Sequence, residues 1–242
     1  MVKAIGTWLK DLEDYPGWRE RRRKRLGHTL HFDDPLLKPS KPLGDFTFSD
    51  KMEKQHAVVF QYLELHEAIS ALRECEYYFR RYPFRGLPVT RHNHITNICE
   101  MYFGRFYEFR ERLKRYFAAV KAAEPKHQID VGGFIKIFDK EFDQELRARN
   151  GVHHHSRFGD VTIDRVFLTG SISMTSGGKG WEREHLAAYR KTAKEWAERV
   201  RRRGETMDQF LEVVADATLR TCTFLSTSRS AAPNRGSNSP SA

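Results

Sequence analysis

Between residues 90 and 123, apolar side chains return at steps of three and four: Ile95, Ile98, Tyr102, Phe106, Phe109, Leu113, Phe117 and Val120. A helix gathers such positions on one side, whereas a strand would scatter them over both faces. The stretch therefore has to be a helix that buries one face. Arg105, Arg110, Arg112, Lys114, Arg115 and Lys121 supply much of the other. The pattern opens after Thr90 and ends near Ala123, before Pro125. A second long helix is predicted just upstream. It starts at Ser49, an N-cap residue with acidic Asp50 inside it. It carries Met52, His56, Val59, Leu63, Ile69 and Leu72 to about Tyr82, before Pro83.

Downstream, Phe134, Phe138, Phe142 and Leu146 mark a third helix after Gly132-Gly133, with Asp139, Lys140, Asp143 and Glu145 on its exposed side. Gly151 either ends that helix or bends it, since glycine inside a helix costs about 1 kcal/mol relative to alanine. Val161–Ile163 and Val166–Leu168 read as short strands, and Thr169–Lys179 as a mobile Ser/Gly loop. Leu186, Tyr189, Ala193, Trp196 and Val200 mark a helix over 181–203. Gly204 is expected to break it from a last helix over 205–224 built on Met207, Phe210, Val214 and Ala217.

The flanks look different. Residues 1–48 read as an irregular arm, with a turn at Tyr15-Pro16-Gly17, a basic run from Arg19 to Arg25, and a proline-rich extended connector over 33–44. Residues 83–89 form a tight connection between the first two helices. Residues 226–242 hold no large apolar side chain and are expected to be disordered. The reading is all-α: an up-and-down bundle of about five long helices over 49–225, with a small irregular or β insertion near 156–180. No internal repeat is visible.

A chain of 242 residues is long enough for a real core. The formal charge of +10 points to an anionic partner, nucleic acid first and acidic membrane surface second. Cys75, Cys99 and Cys222 lie far apart, which excludes a zinc ribbon and gives no disulfide framework. No apolar run approaches the length of a membrane span, and the start lacks the layout of a signal peptide. A soluble, cytoplasmic protein without membrane association is expected.

The chemistry concentrates in Arg147-Ala-Arg149-Asn150-Gly-Val-His153-His154-His155. Arginine is a fixed cation that can grip a phosphate with two parallel hydrogen bonds. Histidine exchanges protons near neutral pH. On a helix Arg149 and His153 share one face, and Asn150 and His154 the next. Cleavage of RNA by its own 2′-hydroxyl needs three things. The hydroxyl must lose a proton, the phosphorane charge must be stabilised, and the leaving 5′-oxygen must gain a proton. An imidazole can do the first or the third. An arginine can do the second.

Arg149-Asn150-Gly-Val-His-His154 resembles the motif of the HEPN superfamily (higher eukaryotes and prokaryotes nucleotide-binding): an arginine, four to six residues, then a histidine, with a polar residue often right after the arginine. Arg147 with His153 or His154 gives overlapping matches. The resemblance covers the helical region from about 49 to 155. It implies an all-helical, metal-independent endoribonuclease that uses no cofactor, often a toxin or anti-phage effector with an antitoxin or regulator. Its site would form where two motifs meet across a homodimer. On this reading His154 is general base or acid, Arg149 holds the phosphate, Asn150 orients the substrate, and Arg147 and His153 assist. Other members have lost activity, so a non-catalytic helical module that binds nucleic acid or protein is the alternative.

A second polar cluster, Arg91-His92-Asn93-His94 with Asn97 and Glu100, opens the long helix. Arg91 and His94, with Arg105, Arg112 and Arg115 further along, are the candidate RNA contacts. The five histidines of the two clusters could ligate a metal. No carboxylate or cysteine joins them at a familiar spacing, so no metal site is expected. Ser176-Gly-Gly-Lys-Gly180 lacks the order of a phosphate-binding loop.

Overall fold

A computed structural model describes residues 1–30, 46–82, 89–154, 157–177 and 180–226, without the side chains of residues 28–30, His153 and His154. The proline-rich connector, most of the 83–89 connection and the expected disordered tail lie outside these residues. Among the described residues every element is a helix: α1 (Val2–Glu13), α2 (Trp18–Leu30), α3 (Asp50–Arg80), α4 (Arg91–Ala123), α5 (Val131–Glu141), α6 (Asp143–His154), α7 (Val161–Thr175), α8 (Trp181–Thr221) and α9 (Thr223–Ser226). The all-α expectation holds for the described residues.

Three helices dominate: α3 with 31 residues, α4 with 33 and α8 with 41. Their starts follow local chemistry. The Ser49 side chain accepts from the Met52 N–H and that of Thr90 from the Asn93 N–H, each covering a donor the first turn leaves open. Side-chain pairs give the directions. Tyr62 meets Tyr116 and His94 meets Tyr78, so α3 and α4 are antiparallel. Phe79 stacks on Trp196 while Arg73 pairs with Asp208, so α8 is antiparallel to α3. Tyr102 touches Trp196 and Tyr116 bonds Thr218, so α8 runs with α4. On the outside of α4, Phe134, Phe138 and Phe142 pack on Phe117, Phe109 and Phe106 in reverse order. The core of α4 is rich in aromatic rings: Tyr102, Phe103, Phe106, Phe109, Tyr116 and Phe117 are fully buried. Each such ring contributes a large apolar area, which explains how so charged a chain still closes a core.

Four expectations change. Residues 161–175 are a helix rather than strands and a loop. Asp160 caps it, accepting from the N–H groups of Thr162 and Ile163. Ile163, Val166 and Thr169 then point at α8 at three-residue steps. The β-branched residues suggested strand, and the tertiary partner overrode that propensity. Gly204 does not break α8. A Cβ there would lie 3.2 Å from Arg73 Cγ, so the glycine lets α3 and α8 approach closely. The third helix of the sequence reading is two, α5 and α6, meeting at Phe142, where φ is −110° and ψ 24°. Glu145, three positions past Phe142 and seven past Phe138, is not exposed as expected: it lies on the inward face and is 1% exposed. Finally, residues 1–30 are not irregular. The α1 side chains Ile5, Trp8 and Leu12 are part of the same buried cluster as α3, α4 and α8.

Candidate functional site

α6 carries the Arg–Asn–His motif. It does not stop at Gly151 and runs on to His154. Arg149 thus stands one helical turn before His153, and Asn150 one turn before His154. The imidazoles of both histidines, and all of His155, lie outside the described groups. Arg147 is exposed and donates from Nε to Asp143 Oδ1 at 2.8 Å, one turn earlier. Arg149 behaves differently. Its Cζ sits 4.0 Å over the ring centroid of Tyr107 on α4. Its Nη1 donates to Asn150 Oδ1 at 3.2 Å. It has no carboxylate partner among the described residues. Its positive charge is therefore not cancelled locally, and most of its N–H groups are free to meet an anion.

The base of α6 is locked in place. Glu145 Oε1 accepts from Tyr102 Oη at 3.3 Å and from Arg199 Nη2 at 3.1 Å, and Oε2 accepts from Arg203 Nη2 at 2.9 Å. Burial beside the Glu145 carboxylate pushes the Tyr102 phenol far above its ordinary value. Arg199 lies over Trp196 and Arg203 over Phe142. These contacts tie α6 to α4 and α8 just before the motif. Beyond the motif, Arg157 pins the chain back on α4. It donates to Glu100 Oε1 at 3.2 Å and to Asn97. The Phe158 N–H also donates to Glu100, at 3.3 Å, and its ring packs on Phe103 and Trp196. Asn97 and Glu100 thus hold the chain that leaves α6.

The second polar cluster opens α4. Arg91 lies 5.4 Å from the Tyr82 centroid and 5.9 Å from that of Tyr189, again with no carboxylate partner among the described residues. His92 packs against Phe167 with centroids 5.2 Å apart. His94 does not suit a surface contact. It is 8% exposed, and its Nε2 lies 3.1 Å from Tyr78 O; a carbonyl only accepts, so Nε2 carries the proton. Burial pushes its pKa down, against the opposing pull of the Tyr78 and Arg81 carbonyls. His185 on α8 joins this region through Thr169 at 3.3 Å, and burial and then the charge of Arg91 push it down too.

The remaining candidate contacts divide. Arg105 pairs with Glu108 at 2.8 Å. Arg112 donates to the Glu64 carbonyl at 2.7 Å and to Glu108 at 2.6 Å, joining α3 to α4. Both charges are largely spent within the fold. Arg115 is exposed with no ion pair among the described residues. The cysteines are free and buried, and burial raises Cys75 to about 11 and Cys222 to about 12, so neither thiol is a ready nucleophile. Among the described residues no group of three His, Cys, Asp or Glu side chains is placed to hold a metal. Among the described residues no helix is long and apolar enough to cross a membrane. A pocket of about 660 Å³ lies elsewhere, between the start of α5 and the end of α8, lined by Lys126, His127, Asp130 and Arg220 among others.

Sequence spacing missed Tyr107 and Arg157. Tyr107 falls off the apolar stripe of α4 and looks like a surface residue. Arg157 lies beyond the motif, and its partners are 57 and 60 positions away. No protein-family model, curated protein or solved structure matches this chain.

Proposed function

We propose that this chain is an RNA-binding protein of HEPN type that cleaves RNA without a metal. The observation that carries the reading is Arg149. It is a guanidinium with no carboxylate partner among the described residues, braced on an aromatic ring, one turn before a histidine pair on an unbroken helix. In this reading the Arg149 guanidinium grips the scissile phosphodiester and offsets charge on the phosphorane. His154 takes the 2′-hydroxyl proton or returns one to the leaving 5′-oxygen. The 2′-oxygen bonds to phosphorus as the bond to the 5′-oxygen breaks, leaving a 2′,3′-cyclic phosphate and a 5′-hydroxyl. Asn150 orients the substrate, and Arg147 and His153 assist. A second copy of the chain would supply the other proton-transfer group. The half-buried cation Arg91 and the exposed Arg115 steer the polyanion. A role in the cytoplasm as a toxin or defence effector, with an antitoxin or regulator, belongs to the same proposal.

The test is incubation of the purified protein with end-labelled RNA in excess chelator. Fragments ending in cyclic phosphate are expected. Arg149→Ala and His154→Ala should each lower the rate by at least about 100-fold, the scale of a lost acid–base or electrostatic group. Binding without cleavage would favour the non-catalytic module. Binding should also weaken steeply with added salt, because phosphate contacts release counterions.

A further inference from the structure

We infer that Tyr107 is the positioning residue for Arg149: its ring holds the guanidinium by one face and leaves the hydrogen-bonding edge turned toward a phosphodiester. The inference rests on the RNA-cleaving reading of α6 for its consequence and on contacts of its own for its geometry.

Tyr107 is 38% exposed, while its neighbours Phe106 and Phe109 are buried at 0% and 1%. It thus adds little to the core. Its hydroxyl has no hydrogen-bond partner among the described residues. Its one specific engagement is the Arg149 guanidinium at 4.0 Å, closer than the arginine–ring contacts at Trp196, Phe142, Tyr82, Tyr77 and Tyr189, which span 4.6 to 5.9 Å. A cation that close over the ring is held by the ring quadrupole on that side, and we take its plane to lie along the ring. Stacking consumes a face of the guanidinium and none of its N–H groups. The Asn150 side chain takes one N–H, at 3.2 Å. What remains is a fork of donors along an edge, the part that matches a phosphate. A free arginine on a surface helix would sample many rotamers. Here the ring on α4 and the amide next to it restrict that sampling before any ligand arrives. The ring and the motif come from different helices, so the joint at Phe142 and the lock at Glu145 decide whether they meet.

Tyr107→Leu, Tyr107→Phe and Arg149→Ala in the full chain test this. The Arg149 Nε–H resonance, assigned by its loss in Arg149→Ala, should be shifted upfield by the ring in the parent and in Tyr107→Phe, and return to an ordinary position in Tyr107→Leu. The single-turnover cleavage rate at saturating RNA should fall about fivefold in Tyr107→Leu, the weight of one partly exposed cation–π contact. It should stay within about twofold in Tyr107→Phe, since the hydroxyl has no role. Tyr107→Leu should add nothing in the Arg149→Ala background. An Arg149 resonance unchanged by Tyr107→Leu overturns the inference whether or not RNA is cut. So does a Tyr107→Phe variant as slow as Tyr107→Leu. A parent that cuts no RNA while the resonance behaves as described overturns the ribonuclease reading and leaves the contact standing.

Discussion

Two ends of one helix use arginine in opposite ways. Near the start of α6, Glu145 is buried and meets Arg199 and Arg203, whose guanidiniums lie over Trp196 and Phe142. One turn later, Arg149 lies over Tyr107 with no carboxylate partner among the described residues. Ring and cation are the same chemistry in both places. The difference is the carboxylate and the water. A carboxylate that is 2% exposed cannot be hydrated and must be answered by charge and hydrogen bonds from the protein. At the rim, water solvates the cation, so no partner is needed for the fold to stand. Charge at the base serves packing. Charge at the rim stays available to a ligand.

Breaking the base should cost most. Glu145→Ala leaves two cations facing one another beside a cavity, and about 3 kcal/mol of stability should go. Chemical denaturation measures it. A loss under about 1 kcal/mol would mean that the two arginines rehydrate freely and the contrast is weak. Glu145→Gln, which keeps the shape and much of the hydrogen bonding, should cost less.

Acid should weaken the fold through its buried histidines. His56, His94 and His185 all have pKa values pushed down by burial. A depressed folded pKa means that the unfolded chain binds protons first as pH falls. Their contribution is therefore complete above the ordinary histidine value of about 6.5 and is lost as pH drops below it toward the lowered folded values. The urea midpoint should fall between pH 7 and pH 5.5, and fall less in His94→Gln. A flat profile over that window would remove the buried-imidazole argument.

The smallest effect belongs to the rim. Gly151 sits inside α6, and nothing lies within 4 Å of where its Cβ would be. Gly151→Ala should stabilise by about 0.5–1 kcal/mol through helix propensity alone. Destabilisation instead would show that the last turn of α6 is not helical in solution, and the spacing of Arg149 to His153 would lose its meaning.

Much of the frame was legible from spacing. The α4 stripe, the Ser49 cap and the start of α4 after Thr90 all followed from period and side-chain chemistry. Within the candidate site, the shared register of Arg149 and His153 followed as well, once α6 proved continuous. Glu145 reads as exposed only because it is charged; its position, three past Phe142 and seven past Phe138, already falls on the apolar face. Strand propensity in Val161, Ile163 and Val166 was read as strand because α8, their partner, is not written in those residues. Gly204 was read as a break because composition cannot say that Arg73 comes to rest against it.

The amino-acid order by itself determined that this chain is helical, where its longest helices begin, and which residues share each side of them. Those are properties of neighbours within a few positions, set by backbone period and capping. Only the tertiary structure decided which side meets which, that Glu145 is answered from α8, and that Arg149 rests on Tyr107 without a carboxylate partner. Those depend on burial, which raises the cost of an unanswered charge and is settled by residues 54 and 58 positions away rather than by the residues next door.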